Sequence, residues 1–218
     1  MMIMFCLLKK NKLKVSVSIL KEKDNIKKVI EKINNTSADY IHLDIMDGSI
    51  TENKSFSIND FKDIKEYNKK PLDIHIMSSN LDKQINDFIK LNPNIISFQI
   101  ENCDNIKKYI DLIKSYNIKV GLALDLNTDI SLVIPYLDYI DLVLVMSVKI
   151  GYSSQKFDTS IISKIKELQK IKSDIIIEVD GGINNQTVKK VKKYTNIVVS
   201  GSFITDSADY NESILLLK

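Results

Sequence analysis

The chain has 218 residues, which at roughly 150 residues per domain allows one large domain or two small ones. Its 31 basic and 28 acidic residues leave a formal net charge of +3 and are interspersed along the same stretches, so no basic stripe marks a nucleic-acid surface. No apolar run reaches the roughly 18 residues that a membrane-crossing helix needs.

Residues 1–13 read as a leader. The short apolar run from Met1 to Leu8 is followed by Lys9, Lys10 and Lys12, the reverse of a signal peptide, and no small-residue cleavage site follows. The first strand is predicted over Lys14–Leu20. A helix over Asn25–Asn34 carries Ile26, Val29, Ile30 and Ile33 as one stripe. A strand over Tyr40–Ile45 precedes a less regular helix over Phe61–Tyr67. A strand over Leu72–Met77 precedes a helix over Leu81–Leu91, capped by Asn80. Ile95–Ile100 and Lys119–Leu124 are strands around a helix over Asn105–Tyr116. Ser131–Tyr139 is again a less regular helix, before a strand over Leu142–Val148 and a helix over Ser160–Ile171. Ile175–Val179 and Ile197–Ser200 are the last strands, with helices over Asn185–Tyr194 and Asp209–Leu217.

Eight strands therefore alternate with helices, their starts spaced by roughly 26 residues, the length of one strand, one helix and two short loops. Strict alternation implies parallel strands joined by right-handed crossovers. The pattern predicts an α/β fold, a single (β/α)8 TIM barrel over 14–218. The rival is a doubly wound open sheet, which would carry a Gly-rich turn after its first strand; here Leu20 is followed by Lys21, Glu22 and Lys23. Cys6 and Cys103 form no CxxC pair and read as incidental thiols of a reduced, cytoplasmic protein.

Five segments carry chemistry. In His42-Leu43-Asp44-Ile45-Met46-Asp47-Gly48, the strand period puts His42, Asp44 and Met46 on one face and Ile41, Leu43 and Ile45 on the other. The apolar face suits the outer helices, and the first face points into the barrel and towards its C-terminal mouth. A buried His-Asp pair is either a structural hydrogen bond or part of a site. In Asp73-Ile74-His75-Ile76-Met77 the same period groups Asp73, His75 and Met77, with Asp73 deepest and read as a supporting or structural carboxylate. These are the chain's only two histidines, and two such patterns on neighbouring strands are hard to explain as packing alone. Glu178-Val179-Asp180-Gly181-Gly182-Ile183-Asn184 ends the seventh strand, with Asp180 facing the mouth. Val199-Ser200-Gly201-Ser202 ends the eighth. Loops after strands 7 and 8 are the recurrent phosphate site of this fold, and phosphate binding is preferred here over plain turns. The fifth segment, Met146 to Phe157, is either a lid or a long surface loop.

Two His and two Asp converging on one mouth suit one divalent metal ion per chain, Zn²⁺, Fe²⁺, Mn²⁺ or Co²⁺ rather than Ca²⁺. Two carboxylates facing each other across a pocket suit proton abstraction on one face and delivery on the other.

These motifs resemble the ribulose-phosphate 3-epimerase family. The likeness runs from about Val15 to Thr205 and rests on Ser18-Ile19-Leu20, HLDIMDG from His42, LDIHIM from Leu72, MSV…G…QKF from Met146, EVDGGIN from Glu178 and SGS from Ser200. The resemblance implies a barrel of the ribulose-phosphate-binding type. It implies His42, Asp44, His75 and Asp180 as metal ligands, and Asp44 and Asp180 as the acid–base pair moving a proton at C3 of a ketose through an enediolate. It implies Ser18, His75, Met46, Met77 and Met146 around the substrate, and Gly181, Gly182, Gly201 and Ser202 at the phosphate, with Gly151, Ser153 and Ser154 from the sixth loop.

Three departures stand out. Val17 replaces the family's usual Pro. Lys149-Ile150-Gly151-Tyr152-Ser153-Ser154-Gln155 replaces NPGFGGQ. Gln99 stands where the family usually places a His. The expected function is interconversion of D-ribulose 5-phosphate and D-xylulose 5-phosphate in the pentose phosphate pathway. The alternatives are 3-epimerisation of another ketose phosphate such as D-allulose 6-phosphate, or a non-catalytic phosphosugar-binding barrel. The DxKxxD element usual in related phosphate-binding barrels does not follow His42. The expected partners are a phosphorylated ketose and further copies of the chain, with no nucleic acid and no membrane.

Overall fold

Runs such as Tyr-Ile-His-Leu-Asp-Ile-Met favour extended backbone because β-branched side chains pack well on a pleated surface. In the computed structural model, which describes residues 12–152 and 155–218, eight such runs form strands. They are β1 (Lys14–Ser18), β2 (Tyr40–Met46), β3 (Leu72–Met77), β4 (Ile95–Gln99), β5 (Lys119–Leu124), β6 (Leu142–Met146), β7 (Ile176–Asp180) and β8 (Ile197–Ser200). All pair in parallel with their sequence neighbours, and β8 pairs back onto β1 to close the barrel. The predicted leader, with Cys6, falls outside the described residues up to position 11.

Every residue of β2 is buried, as befits a strand covered on both faces. Its odd-numbered residues, Ile41, Leu43 and Ile45, join the main core between barrel and helices. The helices supply the other half of that core. They are α1 (Ile26–Asn34), α2 (Ile64–Tyr67), α3 (Leu81–Phe88), α4 (Ile106–Ser115), α5 (Ile161–Ile171), α6 (Val188–Val191), α7 (Ser202–Thr205) and α8 (Tyr210–Leu217). Helix α1 turns Val29, Ile30 and Ile33 inward. Asn80 and Asn105 cap α3 and α4 through their side chains, and Asp209 caps α8. Inside the barrel, the first residues of β2, β4, β6 and β8 (Tyr40, Ile95, Leu142 and Ile197) pack as one apolar plug at the N-terminal end. The polar inward residues are thereby left above it.

The irregular stretches have local causes. The helix expected over Ser131–Tyr139 resolves into two short 3₁₀ turns, Ile130–Leu132 and Ile134–Tyr136, because Pro135 has no N–H to donate along an α-helix. The helix expected over Asn185–Tyr194 shrinks to α6; Asn184 caps the turn ahead of it, its side chain accepting from the Gln186 and Thr187 N–H groups. Strand β7 runs one residue later than expected, so Asp180 is its last residue.

Candidate active site

The inward faces of β2 and β3 come into register, with His42 beside Asp73, Asp44 beside His75 and Met46 beside Met77. Asp180 arrives from β7, paired there with Met146 of β6. One ligand atom from each of His42, Asp44, His75 and Asp180 lies within 4.8 Å of the other three. The four residues expected to hold a metal are therefore together. Both histidines are fully shielded from solvent.

Three of the four side chains are aimed by a partner. The His42 Nδ1–H donates to Asp73 Oδ2 at 2.7 Å, and Ser16 Oγ donates to the same oxygen at 2.7 Å. Ser18 Oγ donates to Asp44 Oδ2 at 2.9 Å, leaving Asp44 Oδ1 free. Ser18, expected to touch substrate, here orients a carboxylate. His75 Nε2 lies 3.0 Å from the Gln99 amide. What remains is a set of unsatisfied atoms: His42 Nε2 and His75 Nδ1 have no hydrogen-bond partner, and they lie 3.4 and 3.5 Å from Asp44 Oδ1. Buried polar atoms without partners are costly, and with both rings neutral the lone pairs converging on one point would suit a cation between them. The donor set, imidazole plus carboxylate, fits a divalent transition metal.

The electrostatics separate the two aspartates. Burial pushes the Asp44 carboxyl up, but His42 and His75 outweigh it and hold it well below the usual carboxylate range. Burial, reinforced by the Asp44 charge, pushes Asp180 up to about 6. Burial alone would lower His42, yet the Asp73 and Asp44 charges hold its pKa well above the ordinary imidazole value. Beneath this layer lies Glu178, fully buried and close to Asp73 and His42. Burial and then the Asp73 charge raise its pKa well above the usual carboxylate range.

Above these groups opens a cavity of about 660 Å³, lined by Ser18, Met46, Met77, Met146 and the loops after β6, β7 and β8. Gly181 and Gly182 have φ of +108° and +59°. A Cβ on Gly182 would meet the Phe157 N at 2.6 Å, so the loop after β6 packs directly on this backbone. Gly201 and Ser202 line the same cavity, and so does Gly151, which Asn53 Nδ2 reaches at its carbonyl from the loop after β2 (2.9 Å). Tyr152 donates to Glu52 across the same gap. Ser153 and Ser154 lie outside the described residues.

The sequence reading did not single out Ser16, Glu178, Asn53 or the cavity-lining Lys149, Lys156 and Lys190. Ser16 and Glu178 had a signal: each lies two residues before a site residue on the same strand and therefore on the same face.

A closed parallel barrel with this mouth, acid–base groups over a polar floor and glycine loops after its last two strands, is a TIM-barrel enzyme. The chain belongs to the ribulose-phosphate 3 epimerase family, whose family model matches residues 14–205. It is 39% identical over 187 residues to the ribulose-phosphate 3-epimerase of Buchnera aphidicola subsp. Baizongia pistaciae, covering 82% of each chain. It is 34% identical over 191 residues to the enzyme of that name from Bacillus subtilis, covering 85% of this chain and 88% of that one. Among solved structures, the tryptophan synthase subunit alpha from Campylobacter jejuni superposes with a TM-score of 0.67 over 97% of each chain, at 18% identity, a likeness of fold.

Proposed function

We propose that the chain interconverts D-ribulose 5-phosphate and D-xylulose 5-phosphate by inverting C3 with two opposed bases. The observation that carries this reading is the pair Asp44 and Asp180, on strands β2 and β7 of one mouth, with their acidities displaced in opposite directions. Environments that push two carboxylates apart define the acid and the base. Asp180, near 6, exchanges a proton close to neutral pH, whereas Asp44 is kept ionised.

In the proposed sequence one aspartate takes the C3 proton from one face of the ketose. An enediolate forms, and the other aspartate returns a proton to the opposite face. Ser18 keeps Asp44 aligned throughout. Met46, Met77 and Met146 surround the reacting carbon with soft, apolar surface that keeps water from competing for the proton. His42, Asp44, His75 and Asp180 are the residues that would hold a divalent ion. When bound, it would supply positive charge to the substrate's oxygens as negative charge develops. The backbone around Gly181, Gly182, Gly201 and Ser202 would take the phosphate, helped by the lysines at the rim.

A second ketose phosphate, such as D-allulose 6-phosphate, is favoured by one feature: the loop after β6 departs from the family pattern and is tied to the loop after β2 through Tyr152 and Glu52. Protein purified without added metal, analysed for its elements and assayed with both sugars, tests the proposal. The pentulose phosphate is expected to turn over faster. Turnover of neither sugar, with metal present, would sink the epimerase reading.

A further inference from the structure

Gln99 is 1% exposed, on the inward face of β4, and nothing assigned to the reaction so far uses it. Its amide lies between His75 Nε2 on one side and Glu101 Oε2 and the Ala123 carbonyl on the other. The two orientations of that amide are not equivalent. With its nitrogen towards His75, the Gln99 oxygen would face two acceptors. With its oxygen towards His75 Nε2 at 3.0 Å, its NH₂ donates to Glu101 Oε2 at 2.8 Å and to Ala123 O at 3.2 Å. The second arrangement satisfies every atom of a buried amide, and the first satisfies none of its contacts on the far side. The amide oxygen has no proton to give, so the hydrogen in this bond belongs to His75 Nε2. A neutral His75 then has a bare Nδ1, which is the atom left without a hydrogen-bond partner 3.5 Å from Asp44 Oδ1.

We propose that Gln99 is a positioning residue: by accepting from His75 Nε2–H it holds the imidazole in the tautomer whose Nδ1 lone pair is offered to a divalent cation shared with His42, Asp44 and Asp180. This deepens the metal-dependent reading above and rests on it. The Gln99 amide is itself held by a surface anchor. Glu101 is exposed, and its other oxygen accepts from the Asp125 N–H at 2.7 Å. A hydrogen-bonded chain therefore runs from the barrel interior, across β3 and β4, to the surface beyond β5. Asp73 performs the same task for His42 from the opposite ring nitrogen, accepting from Nδ1–H, so that a neutral His42 has its lone pair on Nε2. The two histidines are thus set in opposite tautomers. One presents Nε2 to the site and the other Nδ1.

Such outer hydrogen bonds fix ring orientation and ligand basicity, and their loss costs about 10–100-fold in metal affinity. The chain has only two histidines, so a long-range ¹H–¹⁵N spectrum of labelled protein shows two imidazoles, each assigned by the matching His→Asn variant. In Zn²⁺-loaded protein, His75 is expected to show Nε2–H and a metal-shifted Nδ1, and His42 the reverse. Gln99→Met keeps the length and removes the acceptor. It should lower Zn²⁺ affinity, measured by competition with a chromophoric chelator, by about 10–100-fold. It should also let metal-free His75 populate the Nδ1–H form. The double variant Gln99→Glu with Glu101→Gln restores an acceptor towards His75 and a donor–acceptor pair behind it, and should recover most of the affinity. An Nδ1–H tautomer at His75 in the parent protein would overturn the proposal. So would unchanged affinity and tautomer in Gln99→Met. If Gln99→Met does not fold, the parent spectrum decides alone. Failure of the epimerase reading would look different: the tautomers and affinities as expected, but no turnover of either ketose phosphate.

Discussion

Replacing Asp180 by Asn tests the two-base arrangement most directly. The amide keeps the size of the side chain but cannot take up a proton. Burial and the Asp44 charge hold the Asp180 carboxyl at about 6, so near neutral pH it is ionised yet basic enough to accept a proton from carbon. Asp44, whose burial is outweighed by His42 and His75, remains ionised on its own side of the substrate. Removing one positioned base is expected to lower kcat by about 10²–10⁴, or about 2.7–5.4 kcal/mol of barrier. The assay that separates this from general damage is exchange in heavy water, followed at C3 by NMR, with bound metal verified by elemental analysis. With Asp44 still in place, Asp180→Asn should wash deuterium into C3 of one epimer while failing to interconvert the two. Asp44→Asn should favour the other epimer, with weakened metal binding added to the loss. Near-parental interconversion in both variants would refute two-base inversion for this protein.

Three further outcomes follow from the same geometry. Chelation should abolish turnover; for an ion present at about 100 times its Kd, the lost stabilisation is about 2.7 kcal/mol, or roughly 5–10 °C in Tm for a chain of this length, read by calorimetry with and without chelator. Gly201→Leu should raise KM for the phosphorylated ketose about tenfold, about 1.4 kcal/mol, with Tm as control, because a Cβ there meets Ser18 only at an ordinary 3.4 Å while the longer side chain crowds the phosphate loop. Metal-free protein should lose stability as pH rises from about 5 to 8. Asp180, raised to about 6, and His42, raised above the ordinary imidazole value, both bind a proton more tightly folded than unfolded. Their contribution is therefore present at the acid end and lost as pH climbs through the folded values. The contribution of Asp44, whose acidity is increased on folding, is already complete above the ordinary carboxylate range and stays constant across that window. A pH titration of urea midpoints would show the slope, and saturating metal should flatten it; a flat metal-free profile would contradict the assigned shifts.

The barrel was legible because its signals are local. Buried parallel strands need continuous β-branched runs, and amphipathic helices need one apolar stripe, so each element announces itself within ten residues or so. The site was legible for the same reason: the strand period alone puts His42 with Asp44, Asp73 with His75, and Glu178 with Asp180. Register is different. Nothing within β2 or β3 states that Asp44 will stand beside His75, or nothing in β4 that Gln99 will reach His75, because those offsets are fixed by how the whole barrel closes. The chemical consequences draw on this second kind as well. Asp44 becomes strongly acidic because His75 arrives from β3 to join His42 of its own strand, and Asp180 becomes weakly acidic because the closed barrel buries it and sets the Asp44 charge across the mouth from it. Glu52 and Tyr152, 100 positions apart in the chain, meet only because opposite loops lean over one opening. Residue identity within a strand selects which groups face the mouth, and closure of the barrel selects what each becomes there. A variant that leaves every site residue in place but shifts the register of one strand by two residues would keep the motif and the inward faces, yet move Asp44 off His75 and so weaken the acid–base contrast on which the proposed reaction depends.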